Sequence, residues 1–248
     1  MRPARHRSRC ASPSTRKPLS RLAARSREVA CIVAGLAVWS TALPALAADS
    51  LVAAALREAL QLAVERGVAA VGRPEGLLVN SAIRIPVPEQ LAKVETKLRQ
   101  TGQDRRADRF VASLNHVAEE AAPAARPPLL AGVGELPLDD GHRVLAGGDT
   151  AGTDLLRRVA LGRTAAALYP VVVDAMGRVG VARRYKRFVR DSPLGGLFQQ
   201  TPVDLEAYVV GRTVEGIFHA IGQEERRIRI DPAARPTARL REVFGAQR

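Results

Sequence analysis

The sequence predicts an all-α fold, and three observations lead to this prediction. Apolar residues recur at spacings of three and four along most of the chain, the pattern of helices with one buried face. No stretch shows the sustained apolar–polar alternation of a half-buried strand. No Asn-Gly or Asp-Gly hairpin turn joins two apolar segments, since Asp140-Gly141 lies inside a helical pattern. We therefore expect one bundle-like domain of about six to nine helices.

The N-terminal segment has the three parts of a secretory signal peptide. Residues 1–28 contain nine Lys or Arg residues and one acid, Glu28. An uncharged apolar run, Val29 to Leu43, follows this basic region. The small-residue triplet Ala45-Leu46-Ala47 then supplies a cleavage site of the A-x-A kind. This order is typical of a protein exported to the periplasm.

Cleavage after Ala47 would divide the chain into a signal peptide, residues 1–47, and a mature all-α domain, residues 48–248. The alternative is an inner-membrane anchor formed by residues 29–48, because about 20 apolar residues can span a bilayer. Removal of the signal lowers the formal net charge from +13 to about +5 and removes both cysteines. We expect no disulfide and no integral membrane span in the mature domain.

The first half of the mature domain predicts a series of helices separated by turn residues. Asp49-Ser50 is expected to cap the first helix, and Gly72 to end it. Prolines then break the helical period before the second helix, which Pro88 can start. The predicted helices are Leu51–Val71, Glu89–Gln100, Gln103–Ala122 and two short ones near 129–136 and 139–146.

The second half predicts a long helix after Asp149 or Thr150, either of which can serve as its N-cap. Pro170 is expected to kink or split this helix, because proline removes a helical hydrogen bond. A turn-rich stretch, Asp191 to Pro202, separates two later groups of helices. The remaining predicted helices are residues 181–190, Val203–Ile230, with Ile217 in the core, and Pro236–Phe244.

Several motifs of the mature domain resemble a known family. They are residues 80–89 (NSAIRIPVPE), residues 145–153 (LAGGDTAGT) with Arg157-Arg158, and residues 216–218 (GIF) with Glu224-Glu225. Together they resemble the proteobacterial family called domain of unknown function 4197, over about residues 50–245. The resemblance implies an exported, mostly helical protein of uncharacterised function, and it supplies no catalytic residues.

The turn Gly147, Gly148, Asp149, Thr150 is a candidate anion site, because glycines before a helix let backbone N–H groups approach a ligand. The turn lacks the lysine of a phosphate-binding loop, and Asp149 already supplies a negative charge. The favoured interpretation is therefore a tight turn between helices that Asp149 or Thr150 caps.

Metal binding and nucleophilic catalysis find little support. His116 has two acids nearby, and His142 and His219 have one each, but none forms the Glu-x-x-His motif of a di-iron bundle. Ser113 and His116 share a helix face without an evident third triad member. Glu224-Glu225 could serve as general acid or base, but three arginines follow them, and a charge-laced helix end is the favoured interpretation. We expect no metal and no cofactor.

Five cations lie within eight residues of a short predicted helix: Arg183, Arg184, Lys186, Arg187 and Arg190. On a helix, Tyr185, Phe188 and Val189 occupy the opposite face and can anchor it to the domain. The alternatives are a solvated face and a surface that meets anionic envelope lipids. Nucleic acid is a poor candidate partner, because aromatic residues for base stacking are few.

The sequence does not assign a reaction. We expect a non-enzymatic binding or envelope-associated protein, whose partners are anionic envelope lipids or another envelope protein. The alternative is an enzyme with a helical active site of unrecognised type.

Overall fold

The computed structural model describes residues 25–138, 141–190 and 203–246, with side chains from Asp49 onward. The chain forms two compact units, Met1–Ala47 and Ala48–Arg248. Within the described residues every regular element is helical, which confirms the predicted all-α class. The predicted turn-rich stretch 191–202 and the basic region 1–24 lie outside the described residues.

The described helices follow the predicted order along the chain. Apart from the start of the first helix, their bounds differ from the predicted ones by a few residues at most. Three 3-10 segments extend or join them: Glu89–Leu91, Ala122–Ala125 and Pro232–Ala234. The α-helices are α1 Arg25–Gly72, α2 Ala92–Gln100, α3 Asp104–Ala121, α4 Arg126–Gly134, α5 Gly141–Ala146, α6 Ala151–Val179, α7 Val181–Arg190, α8 Leu205–Ile230 and α9 Ala238–Gly245.

The helix start predicted at Asp49-Ser50 is that of the chain cleaved after Ala47, and it stays a prediction for the cleaved form. Helix α1 begins at Arg25 and continues through both residues. The residues just before them, Ala45 to Ala48, are alanine and leucine, which are strong helix formers and do not end a helix.

Helix α6 is central to the core and packs against α3, α4 and α8. Leu156, Leu168 and Val172 of α6 are fully buried, as are Ile217 and Ile221 of α8. The prediction that Ile217 lies in the core is therefore confirmed. In length and composition α6 could also cross a membrane, but core helices of soluble proteins meet the same criterion.

Pro170 does not split α6, which is continuous from Ala151 to Val179. The carbonyl that loses its helical donor at a proline belongs to the residue four positions earlier, here Ala166. Both Pro170 and Ala166 lie on the exposed side of the helix, where water can replace the missing bond.

The segment between α1 and α2, residues 73–88, is held on the domain by buried polar side chains. Glu119 of α3 accepts hydrogen bonds from the backbone N–H groups of Glu75, Leu77 and Leu78, at 3.0–3.1 Å. Asn115 of α3 exchanges two hydrogen bonds with the backbone of Ile85, at 2.8 and 2.9 Å. These bonds pair backbone groups that no helical hydrogen bond satisfies, and they hold this segment against α3.

Candidate functional site

The turn Gly147 to Thr150 joins α5 to α6, as predicted, but its side chains do not cap α6. Thr150 occupies the N-cap position without a side-chain capping bond, and Asp149 instead pairs with Arg226 at 3.3 Å. The prediction that Asp149 or Thr150 caps this helix is therefore wrong. The cap comes from a residue more than 70 positions away in the sequence.

Glu225 of α8 caps α6 from across the helix interface. Its carboxylate accepts from the N–H of Gly152 at 3.0 Å, the N–H of Thr153 at 2.7 Å and the Thr153 hydroxyl at 2.6 Å. A β-carbon on Gly152 would lie 3.0 Å from the Glu225 carboxylate, so a larger residue here would force that carboxylate to move by a few tenths of an ångström. The positive end of the α6 dipole thus already holds an anion that belongs to the protein.

Arg229 completes this junction one helical turn further along α8. It donates to Glu225 at 2.9 and 3.1 Å and to the carbonyls of Val144 and Leu145, at 3.1 and 3.0 Å. The pair therefore binds the end of α5 and the start of α6 together. The predicted charge-laced helix end is observed as an ion pair with Arg229, but Glu225 is buried, at 2% exposed.

The histidines predicted as weak metal candidates do not converge. His116 is exposed while Glu119, three residues on, is buried and bonded to residues 75–78. His142 pairs with Asp49 at 3.2 Å. Ser113, which shares a face with His116 in the sequence, donates to the Phe110 carbonyl at 2.6 Å. Among the described residues, no group of three His, Cys, Asp or Glu side chains could hold a metal ion.

Helix α7 presents its cations outward, as its sequence predicts. Phe188 and Val189 are buried and Tyr185 is half-buried. The Phe188 ring stacks on Phe110 of α3, with ring centroids 4.7 Å apart, and the Tyr185 ring lies 6.1 Å from the same Phe110. The apolar face thus fixes α7 to α3, and all five predicted cations are exposed.

Four of the five exposed cations of α7 and two arginines of α3 line one cleft of about 620 Å³, together with the stacked rings of Phe110 and Phe188. Lys186 is the one member of the predicted cluster that does not line it, and among the described residues that line it none is acidic. We call this surface the arginine cleft. Six arginines of the two helices line it: Arg106, Arg109, Arg183, Arg184, Arg187 and Arg190.

Local bonds orient some of these side chains without neutralising them. Arg109 donates to the Arg105 carbonyl at 2.9 Å, and Arg184 donates to the Val179 carbonyl. In the described part of the chain, neither these two arginines nor Arg183 and Arg187 form a salt bridge. Like charges that share a concave surface create a positive potential that attracts anions.

Arg106 and Arg109 were not recognised from the sequence as site residues. They are three apart on α3, so they share one helix face. That face is recognisable as part of a site only once α7 is placed beside α3.

The fold and the arginine cleft define a small all-α protein with a concave basic surface. A family described as "Protein of unknown function (DUF4197)" matches residues 47–245, and the chain belongs to this family, which confirms the resemblance seen in the sequence. No curated protein and no solved structure matches the chain.

Proposed function

We propose that the protein is an exported, non-enzymatic protein that binds the phosphate groups of anionic lipid surfaces through the arginine cleft. The observation that carries this proposal is the convergence of six arginines on one cleft whose described lining residues include no acid. Guanidinium groups suit phosphate because their planar N–H donors bind two phosphate oxygens at once.

The cleft favours a lipid surface over nucleic acid. Its two rings, Phe110 and Phe188, are each 1% exposed and stack on each other, so neither offers a free face to a base. The apolar face of α7 is likewise used against α3, which leaves electrostatic attraction as the main contribution to binding. Each basic residue near an anionic membrane adds about 1 kcal/mol before salt screening.

Vesicle co-sedimentation tests the proposal. We expect the protein to bind vesicles of phosphatidylglycerol mixed with phosphatidylcholine at low salt, and to bind less at physiological ionic strength. A variant with glutamine at the five predicted cations of α7 should lose this binding. Equal binding by both proteins, or no binding by the wild type at low salt, would reject the proposal.

A second set of variants separates a specific cleft from a diffuse basic surface. Arg106→Gln with Arg109→Gln removes two cleft arginines, whereas Arg105→Gln and Lys186→Gln remove exposed cations outside the cleft. The cleft pair should weaken vesicle binding several-fold more than the control pair. Equal losses would assign binding to net charge alone.

The proposal that the protein is exported is based on the sequence of residues 1–47, and it needs a separate test. Mass spectrometry of the protein from the cell envelope should find an N-terminus at Ala48. The processed protein should also lack tryptophan fluorescence, because Trp39 is the single tryptophan of the chain. Recovery of an intact Val29–Leu43 segment in the membrane fraction would instead favour the inner-membrane anchor.

A further inference from the structure

A second and smaller cavity, of about 240 Å³, lies between α6, α8 and the segment that joins α1 to α2. Helix α6 contributes Arg157, and α8 contributes Arg212, Glu215 and His219. Ile83 closes it from the joining segment. This α6–α8 cavity shares no lining residue with the arginine cleft.

Arg157 is held in place without being neutralised. Its guanidinium carbon lies 4.7 Å from the ring centroid of Phe218, which is fully buried, and the side chain is half-buried. A ring face fixes the guanidinium plane and leaves the N–H donors on its edge available. Within the described residues, Arg157 has neither a hydrogen-bond acceptor nor a carboxylate partner. These donors are accessible from the cavity and have no carboxylate in the described part of the chain to satisfy them, so they can bind an anionic ligand.

The other charged groups of the cavity are arranged differently. Arg212 donates to Glu215 at 2.9 Å, and these two charges offset each other. His219, one turn beyond Glu215, is exposed and can donate through an imidazole N–H. Arg157 therefore provides the uncompensated positive charge of the cavity.

The backbone beside the cavity is adapted to close packing. A β-carbon on Gly216 would lie 3.1 Å from a methyl group of Leu77 and 3.6 Å from the β-carbon of Ile83. Tyr208 further ties the joining segment to α8 by donating to the Pro86 carbonyl at 2.9 Å. The wall opposite Arg157 is thus fixed by packing and by a hydrogen bond.

We propose that the α6–α8 cavity binds a small oxyanion, a carboxylate or a phosphate group, with Arg157 as its main ligand-binding residue. The volume lies below the range of about 300–1,000 Å³ that suits drug-sized ligands, so the ligand is small. Arg157 binds the two oxygens as a fork, and His219 and Arg212 supply further donors. This site is separate from the arginine cleft and does not depend on the proposed lipid binding.

NMR titration of the full protein tests the proposal, with the His219 imidazole as a local reporter. The arginine cleft contains no histidine, so a shift of this signal reports on the α6–α8 cavity. We expect inorganic phosphate or acetate, added at constant ionic strength, to shift it in a saturable manner. Preference between the two probes identifies phosphate or carboxylate as the bound group.

Two matched variants establish the role of Arg157. Arg157→Gln should weaken the affinity for the anion about tenfold or more, which is the usual effect of losing hydrogen bonds to a charged group. Arg158→Gln removes an exposed neighbour that does not line the cavity, and it should bind like the wild type. No saturable shift with either probe in the wild type, or equal affinity in both variants, overturns the proposal.

A third variant keeps the proposal testable if Arg157→Gln does not fold. Ala82 is exposed at the rim of the cavity, so Ala82→Glu can be tolerated and would place a carboxylate near Arg157. The carboxylate introduced by Ala82→Glu should abolish the anion-induced shift of the His219 signal, while the thermal unfolding temperature stays close to that of the wild type. Retained anion binding in a folded Ala82→Glu protein would also overturn the proposal.

Discussion

Arg229 and the arginines of the cleft carry the same charge in opposite surroundings. The Arg229 side chain is 9% exposed, and it donates to the Glu225 carboxylate and two backbone carbonyls. Arg183 and Arg187 are exposed on a concave surface and form no salt bridge within the described residues. The comparison shows that burial and partners, rather than charge, separate a structural arginine from one available to a ligand.

The two groups should also differ in what they contribute to stability. Removing one member of a buried ion pair leaves an uncompensated charge in a low-dielectric interior, which is strongly destabilising. Removing one cation from a group of like charges relieves repulsion and costs little. Stability measurements can therefore test the comparison independently of any ligand.

The largest effect on stability is expected for Glu225→Gln. It removes the charge that Arg229 faces and weakens the cap of α6, so we expect a loss of about 3–5 kcal/mol in the free energy of unfolding. Urea denaturation followed by circular dichroism measures it. Glu224→Gln is the control at the neighbouring position, since Glu224 caps no described helix and forms longer ion pairs, at 3.5 and 3.7 Å, so it should cost less than Glu225→Gln. Equal losses would mean that the junction is not specific.

Glu119→Gln tests whether a buried carboxylate needs a cationic partner at all. Glu119 is 5% exposed and is held by backbone N–H groups of residues 75–78 instead of an arginine. Hydrogen bonds to a charged acceptor contribute about 1.5–3 kcal/mol, and we expect a loss in that range. The exposed Glu120, which pairs with Arg178, provides the control Glu120→Gln. A larger loss for the control would contradict this role of Glu119.

Local periodicity was sufficient to predict the helices and the outward face of α7, because both depend on residues a few positions apart. The junction between α5 and α6 could not be predicted in this way. Glu225 reaches Gly152 across 73 positions, and the sequence there indicates only a charged helix end. In the same way, Arg157 and His219 lie on separate helices that tertiary packing brings to one cavity. Side-chain partners between helices therefore required the structure.

The arginines of the cleft should have a smaller effect on stability than either buried carboxylate. For Arg183→Gln with Arg187→Gln we expect a change within about 0.5 kcal/mol, because exposed substitutions away from special features cost little. The same variant should bind anionic vesicles more weakly. Urea denaturation and vesicle co-sedimentation on one preparation measure both properties. A large loss of stability would place these arginines with Arg229 as structural residues.

The smallest effect on stability is expected for Arg163→Gln. Arg163 has a carboxylate partner but is not buried. Its guanidinium bonds both oxygens of Glu135 at 2.7 Å, linking α6 to the residue that follows α4. This bond lowers the pKa of the Glu135 carboxyl below its ordinary value of 4.5. A lowered pKa means that the folded state favours the ionised form, so the stabilisation is present above the ordinary pKa.

The stabilisation should disappear as pH falls through the lowered pKa of Glu135, where the carboxyl takes up its proton. We therefore expect Arg163→Gln to reduce the thermal unfolding temperature slightly at neutral pH, and to match the wild type once Glu135 is protonated. High salt should shrink the difference at neutral pH, because exposed pairs are screened. Melting curves of both proteins across this pH range measure the effect. A difference that persists in acid would show that Arg163 stabilises the protein through packing. The exposed ion pair with Glu135 would then contribute nothing to stability.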